Sequence, residues 1–244
     1  MNKKKQINIG TSGWHYKHWV GPFYPEKTDT NKMLEYYAQD FNTVEINNSF
    51  YQMPSARTLK TWVEITPDDF FFAVKASRYI THMKKLKDPE DPVKRFMKRA
   101  KFLGNKMGPI LFQLPPRWKF NRERLASFLD PLPKGPRYAF EFRDETWFCD
   151  EAYQILRNHN AAFCIYQIAG RMSPKEVTAD FVYVRLHGPG DNAYEGEYDK
   201  KVLAGWAGAF HKWRSSGKDV YCYFDNDQNG YAPKDAIKLK KMCE

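Results

Sequence analysis

The sequence predicts an α/β fold, a (β/α)8 barrel of the TIM type, and three observations lead there. Extended and helical patterns alternate eight times over 244 residues, seven of the eight connections have room for a helix, and polar residues gather at the C-terminal ends of the extended segments. Parallel neighbours need a crossover of a dozen residues or more, which alternation supplies. Eight such units at this length suit a closed barrel better than an open doubly wound sheet.

Residues 7–10 form the first strand, ending at Thr11-Ser12-Gly13-Trp14, where Gly10 and Gly13 permit a tight turn. Leu34, Tyr37, Ala38 and Phe41 recur at helical spacing, and 43–50 (TVEINNSF) reads as the second strand. A helix over 55–65 follows, with Ser55 as its N-cap. Residues 70–76 are a nearly unbroken apolar run, the kind buried on both faces of a parallel sheet. The helix behind it, 92–103, carries Val93, Phe96, Met97, Ala100 and Leu103 as an apolar stripe. Residues 109–114 are the fourth strand, and Leu125, Phe128 and Leu129 mark the next helix. Residues 137–143 are the fifth strand, whose period of two places Tyr138, Phe140 and Phe142 on one face and Ala139, Glu141 and Arg143 on the other. A helix near 150–158 leads to a sixth strand, 161–168. The connection 169–180 is too short for more than a turn or two, which predicts a degraded sixth helix. Strand 181–187, a helix near 199–214, strand 219–224 and a helix from about Pro233 complete the series. No repeat, low-complexity tract or linker divides the chain, so 1–244 reads as one domain.

Composition narrows the function classes. With 42% hydrophobic and 16% aromatic residues the chain is globular rather than disordered. Cys149, Cys164, Cys222 and Cys243 are widely spaced without a C-x-x-C, which excludes a zinc ribbon or iron–sulfur run and points to a reducing cytoplasm. The start, MNKKKQINIG, supports neither a signal peptide nor an anchor, and no apolar segment is long enough to span a membrane. The net charge is +10, of which +7 lies between Arg78 and Lys106, where ten Lys or Arg face three acids. That stretch, 78–106, could track the phosphates of a nucleic acid, or it could be the solvated face of an outer helix.

In a closed parallel barrel the strand C-termini share one rim, and active sites are built there. Every strand brings polar residues to it, and the N-terminal halves bring almost none. Glu45 with Asn47, Lys75 with Ser77, Glu141 with Arg143, and Arg185 with His187 are two apart and project together. Lys75, Arg143 and Arg185 form an expected cationic cup. Glu141 and Glu45 are the expected acid/base pair, with Asp225 a further carboxylate and His187 a proton shuttle. Gln113 and Asn47 join the expected binding residues, and Trp14, Phe50, Tyr51 and Trp147 would form a stacking wall for a sugar or base. A structural ion-pair lattice could use the same charged residues. The loop 188–196 offers amides that could hold phosphate or serve simple turns. No cofactor is predicted. A divalent metal on Glu45, Glu141, His187 and Asp225 is an alternative, opposed by three cationic side chains in the same mouth.

The segments GTSGWHYKHWVGPFYP, TVEINNSFYQMP, FFFAVKAS, ILFQLPP, YAFEFRDETW, VYVRLHGP and VYCYFDND closely resemble, in order and spacing, the YecE-like family, catalogued as a domain of unknown function. The resemblance runs from Ile7 to the C-terminal helix and implies a TIM-type barrel with these motifs at the strand ends. It implies no established activity. It also implies Asn in an FNND pattern where this chain has Asp225. The expected function is therefore an enzyme using acid/base chemistry on a small anionic, hydroxylated molecule, such as a phosphorylated or acidic sugar. The alternatives are a nucleic-acid-binding or nucleic-acid-processing protein, a metal-dependent barrel hydrolase or isomerase, and a non-catalytic scaffold.

Overall fold

In the computed structural model, which describes residues 5–244, the alternation of the sequence becomes a ring of parallel strands. These are β1 (Ile7–Thr11), β2 (Thr43–Ile46), β3 (Phe71–Lys75), β4 (Met107–Gln113), β5 (Tyr138–Glu141), β6 (Ala162–Ile168), β8 (Phe181–Leu186) and β9 (Asp219–Phe224). A two-residue strand, β7 (Arg171–Met172), folds back antiparallel on β6 and lies outside the ring. The order is β1-β9-β8-β6-β5-β4-β3-β2, and the two ends meet at a parallel bridge between Ser12 and Glu45. Gly10 makes that approach possible, because a Cβ there would stand 2.2 Å from the Thr43 carbonyl oxygen. Its role is close packing of two strands, whereas Gly13, with φ of +89°, is the turn glycine.

Seven helices pack outside the ring: α1 (Met33–Asp40), α2 (Ala56–Ile65), α3 (Glu90–Ala100), α4 (Arg122–Leu129), α5 (Asp150–Asn158), α6 (Lys200–Ser215) and α7 (Tyr231–Cys243). The span between β6 and β8 holds only β7 and irregular chain, so the expected degraded sixth helix is a missing one. Ser55 caps α2 by accepting from the Thr58 amide at 3.0 Å. The second strand is shorter than expected. It stops at Ile46, and Asn48–Phe50 turn in a 3-10 helix because Ser49 Oγ reaches back to the Ile46 and Lys75 carbonyls at 2.9 and 2.6 Å.

The period of two sorts the strands into two cores. Outward residues such as Val44, Phe72, Val74, Phe112, Phe140 and Phe142 pack under the helices. Inward residues, among them Ala73, Leu111, Ala139, Cys164, Tyr183 and Tyr223, fill the lower barrel. Small side chains on β3, β5 and β6 face aromatic ones on β8 and β9, so the interior is filled and not a channel. Above this plug every inward position on β2, β5, β8 and β9 is polar.

Candidate functional site

The polar layer is centred on Arg185, the third inward residue of β8, which is fully buried. Its Nη2 donates to Glu45 Oε1 at 2.8 Å, to Asp225 Oδ2 at 2.9 Å and to Ser12 Oγ at 2.9 Å, and its Nη1 donates to Glu141 Oε2 at 2.9 Å. One guanidinium thus joins carboxylates from β2, β5 and the end of β9. The remaining carboxylate oxygens divide sharply. Glu45 Oε2 accepts from the Tyr183 hydroxyl at 2.6 Å, and Glu141 Oε1 accepts from Gln113 Nε2 at 2.9 Å and from Arg143 Nε. Asp225 Oδ1 has no hydrogen-bond partner among the described residues, and the Asp225 side chain is 11% exposed. Of the three carboxylates, only Asp225 offers an oxygen to the mouth.

Arg143 lies above Glu141, 12% exposed, with its guanidinium 4.8 Å over the Tyr166 ring. Nε and Nη2 are engaged by Glu141 and His187, and Nη1 makes no hydrogen bond among the described residues. His187 presents Nδ1 to Asp225 Oδ2 across 3.0 Å and Nε2 to Arg143 and Arg185 at 3.2 and 3.3 Å. A guanidinium can only donate, so Nε2 accepts, the proton sits on Nδ1, and the ring is neutral. Burial and Arg185 both lower its pKa, outweighing Asp225. A freely titrating shuttle is not what this environment gives.

Burial alone would raise the Glu141 carboxyl, but Arg143 and Arg185 outweigh it and hold it well below the usual range. Asp225 is lowered in the same way, burial being overcome by Arg185. Lys75 stands apart. Its Nζ is 4.6 Å over the Phe50 ring and has no carboxylate within 4 Å among the described residues, and burial together with Arg185 pushes it down to about 8. His82, which sequence reasoning passed over inside the basic stretch, packs edge-on to the same Phe50 ring at 4.9 Å. Burial, Lys75, Arg78 and Arg143 bring it down to about 4.

Beside this layer opens a cleft of about 830 Å³, lined by Arg143, Gln113, His82, Tyr166, Tyr194 and Arg117 among others. The structure thus brings together Glu45, Glu141, Arg143, Arg185, His187, Asp225, Asn47 and Gln113, with Lys75 at their edge. Asn47 donates to Ser12 Oγ at 2.7 Å. Ser12, just past the end of β1, points inward to Glu45, whereas the Thr11 hydroxyl turns out to that of Tyr37 at 3.0 Å. The alternation Asn8, Gly10, Ser12 carried that signal. The aromatic wall does not form. Trp147 is fully buried under Phe142, with its Nε1 donating to the Trp118 carbonyl at 2.5 Å. Trp14 packs on Trp62 outside the ring, and Tyr51 is 75% exposed near Arg78. In loop 188–196 the amides of Gly188, Tyr194 and Gly196 are taken by Tyr198, His187 and Gln228, so they do not make an anion cradle. A dication does not fit the carboxylates either, since the Arg185 guanidinium already occupies the point where they converge.

The stretch 78–106 divides. On α3 Val93, Phe96, Met97 and Ala100 are buried, while Lys94, Arg95, Lys98 and Arg99 are exposed. Lys106 is buried instead and donates to the Val63 and Thr66 carbonyls at 2.7 Å, capping the end of α2. No helix among the described residues is long and apolar enough to cross a membrane.

A ring of eight parallel strands with its polar layer and cleft at the C-terminal rim defines a TIM-type barrel protein. Within that class the chain belongs to the family described as Protein of unknown function DUF72, whose model matches residues 8–244. It is 26% identical to UPF0759 protein YunF of Bacillus subtilis over 98% of this chain and 95% of that one. It is 33% identical to UPF0759 protein YecE of Escherichia coli over 58% of this chain and half of that one. A DUF72 family protein (TM1631) from Thermotoga maritima, known from its crystal structure, superposes with a TM-score of 0.87 at 30% identity, covering 97% of this chain and 98% of that one. D-psicose 3-epimerase from Clostridium cellulolyticum, at TM-score 0.57 and 9% identity over 97% and 96%, shares the fold alone.

Proposed function

We propose that the barrel mouth binds and chemically transforms a small anionic, hydroxylated molecule such as a phosphorylated or acidic sugar. One observation carries this reading. The lattice consumes the charge of Arg185 and leaves three unspent groups at its upper edge: Arg143 Nη1, the Lys75 amine and Asp225 Oδ1. In this reading Arg143 and Lys75 take the anion and Asp225, held ionised, accepts a proton from a substrate hydroxyl or carbon. Glu45 and Glu141 do not act as the acid/base pair expected from sequence, since their oxygens are occupied; they and His187 fix Arg143 and Asp225 in place. The test is isothermal titration with glucose 6-phosphate, ribose 5-phosphate and inorganic phosphate. Arg143→Ala should weaken binding about tenfold or more, the worth of one charge-assisted hydrogen bond of ~1.5–3 kcal/mol. Wild-type protein that binds none of them, or a variant that binds equally well, removes the reading.

A second reading rests on the exposed Lys94, Arg95, Lys98 and Arg99, none of which has a carboxylate within 4 Å among the described residues. A nucleic-acid backbone suits such a face. It requires binding of single- or double-stranded oligonucleotides that weakens steeply with salt, and salt-insensitive or absent binding excludes it.

A further inference from the structure

We propose that Lys75 is a nucleophilic amine that condenses with a carbonyl group of the molecule held at the barrel mouth, forming a Schiff base. The inference rests on the reading above and goes beyond it by naming a carbonyl compound, an anionic aldose, ketose or keto acid, as the substrate class.

Lys75 is the last residue of β3, on the inward face with Ala73. Its side chain is half-buried at the mouth. Phe50 covers it from one side, and that ring is held because Ser49 ties its turn to the Lys75 carbonyl at 2.6 Å. The groups facing the amine across the mouth are Arg185, Glu141, Glu45 and Asp225, with His82 on the far side of Phe50. Each of the three carboxylates already pairs with Arg185. A half-buried ammonium without a carboxylate beside it is disfavoured, and a side chain kept in that state loses its proton more readily. With a pKa of about 8, roughly a tenth of the amine is free base at pH 7, against well under a thousandth for an exposed lysine near 10.4.

The step balances without a further reactant. The Nζ lone pair attacks the carbonyl carbon, the carbonyl oxygen takes a proton to give a carbinolamine, and the nitrogen lone pair then expels that oxygen as water, leaving C=N. The two protons carried by the neutral amine leave on that water, so none has to come from outside the pair.

Pyridoxal 5′-phosphate and glyceraldehyde serve as probes, the first an aldehyde with a phosphate and the second a neutral one. Full-length protein is treated with each at pH 7, reduced with borohydride so that hydride fixes C=N as a secondary amine, and mapped by peptide mass spectrometry. Lys75 should carry at least tenfold more label than exposed lysines such as Lys94 and Lys98. Inorganic phosphate should suppress the pyridoxal phosphate adduct, and Lys75→Met, checked for an intact thermal transition, should lose the site. Labelling of Lys75 by glyceraldehyde without any phosphate effect supports the nucleophile while counting against the anion site. Label confined to surface lysines with both probes overturns the inference even if phosphate still titrates in an Arg143-dependent manner.

Discussion

Arg185 holds three carboxylates in a buried region, and its loss would be felt through what it leaves behind. Glu45 and Glu141 are fully buried and Asp225 nearly so. Arg185→Leu would strand three negative charges, and breaking even one buried pair costs about 3–5 kcal/mol. Against a total of about 5–15 kcal/mol this should yield unfolded or insoluble protein, and Arg185→Lys, which keeps the charge but not the fork, should still lower the urea midpoint clearly. A midpoint unchanged in Arg185→Lys would mean the fork geometry does not matter. The same residues set the acid response. Glu141 and Asp225 titrate lower folded than unfolded, so they contribute stability above their ordinary values of 4.5 and 3.8 that is lost as pH falls below those values. His187 and His82 are also depressed from 6.5, so the unfolded chain takes up their protons first and stability is lost as pH falls below 6.5. The urea midpoint should fall from pH 6.5 downward and more steeply below 4.5, and a flat profile from pH 7 to 4 would contradict these assignments. Most charged residues of the layer were legible in the sequence, because Glu, Arg and His at strand ends are conspicuous. Their bonding was not. Spacing puts Glu141 and Arg143 on one face but cannot tell a residue spent on a neighbour from one left open, and this separates Glu141 from Asp225.

Elements were easier to read where one force dominated. The helix near 150–158 coincides with α5, and the apolar stripe of 92–103 is the buried face of α3. Both follow from periodicity, which burial of one face enforces. Strand β2 was overread by four residues because a side-chain hydroxyl, Ser49, bends the chain where the alternation of TVEINNSF continued. Trp147 was misplaced for a related reason: strand ends at the rim turn back into the outer layer within a few residues, and an aromatic there prefers the core. Gly10 gives an element-scale prediction. Gly10→Ala would force its Cβ to 2.2 Å from a backbone oxygen, and a strand cannot swing away as a side chain can. The variant should lose several kcal/mol of stability, in the range of overpacked cores or above, whereas Gly208→Ala on α6, where a Cβ meets nothing within 4 Å, should be neutral or stabilising. Equal urea midpoints for the two would mean that β1 and β2 do not need their close approach.

At the scale of the whole molecule the barrel has an uneven perimeter. β8 pairs in continuous register with β9 over six residues and with β6 over four, while β1 and β2 share only the Ser12–Glu45 bridge and the Gly13 amide bond to the Glu45 carbonyl at 2.9 Å. Backbone bonding does little to close this seam, and the side-chain lattice compensates. Ser12 Oγ contacts Glu45, accepts from Asn47 at 2.7 Å and from Arg185 at 2.9 Å, so it ties β1 to β2 and both to β8. The polar layer therefore helps to close the ring, and the cleft opens beside it. A structural lattice and the proposed site can thus share these residues: Arg185, Glu45 and Glu141 help close the ring, and the groups they leave over are those that the proposed ligand would meet. Hydrogen exchange can separate these roles. In Ser12→Ala the Gly13 amide and the amides of β2 should exchange markedly faster, while Val184 and Cys222 on β8 and β9, each held between two continuous ladders, should hardly change. Arg143→Ala, which removes only an edge group, should leave the seam protected. Uniform acceleration around the ring in Ser12→Ala, or none at Gly13, would show that the seam is held by the outer helices and that the lattice serves the mouth alone.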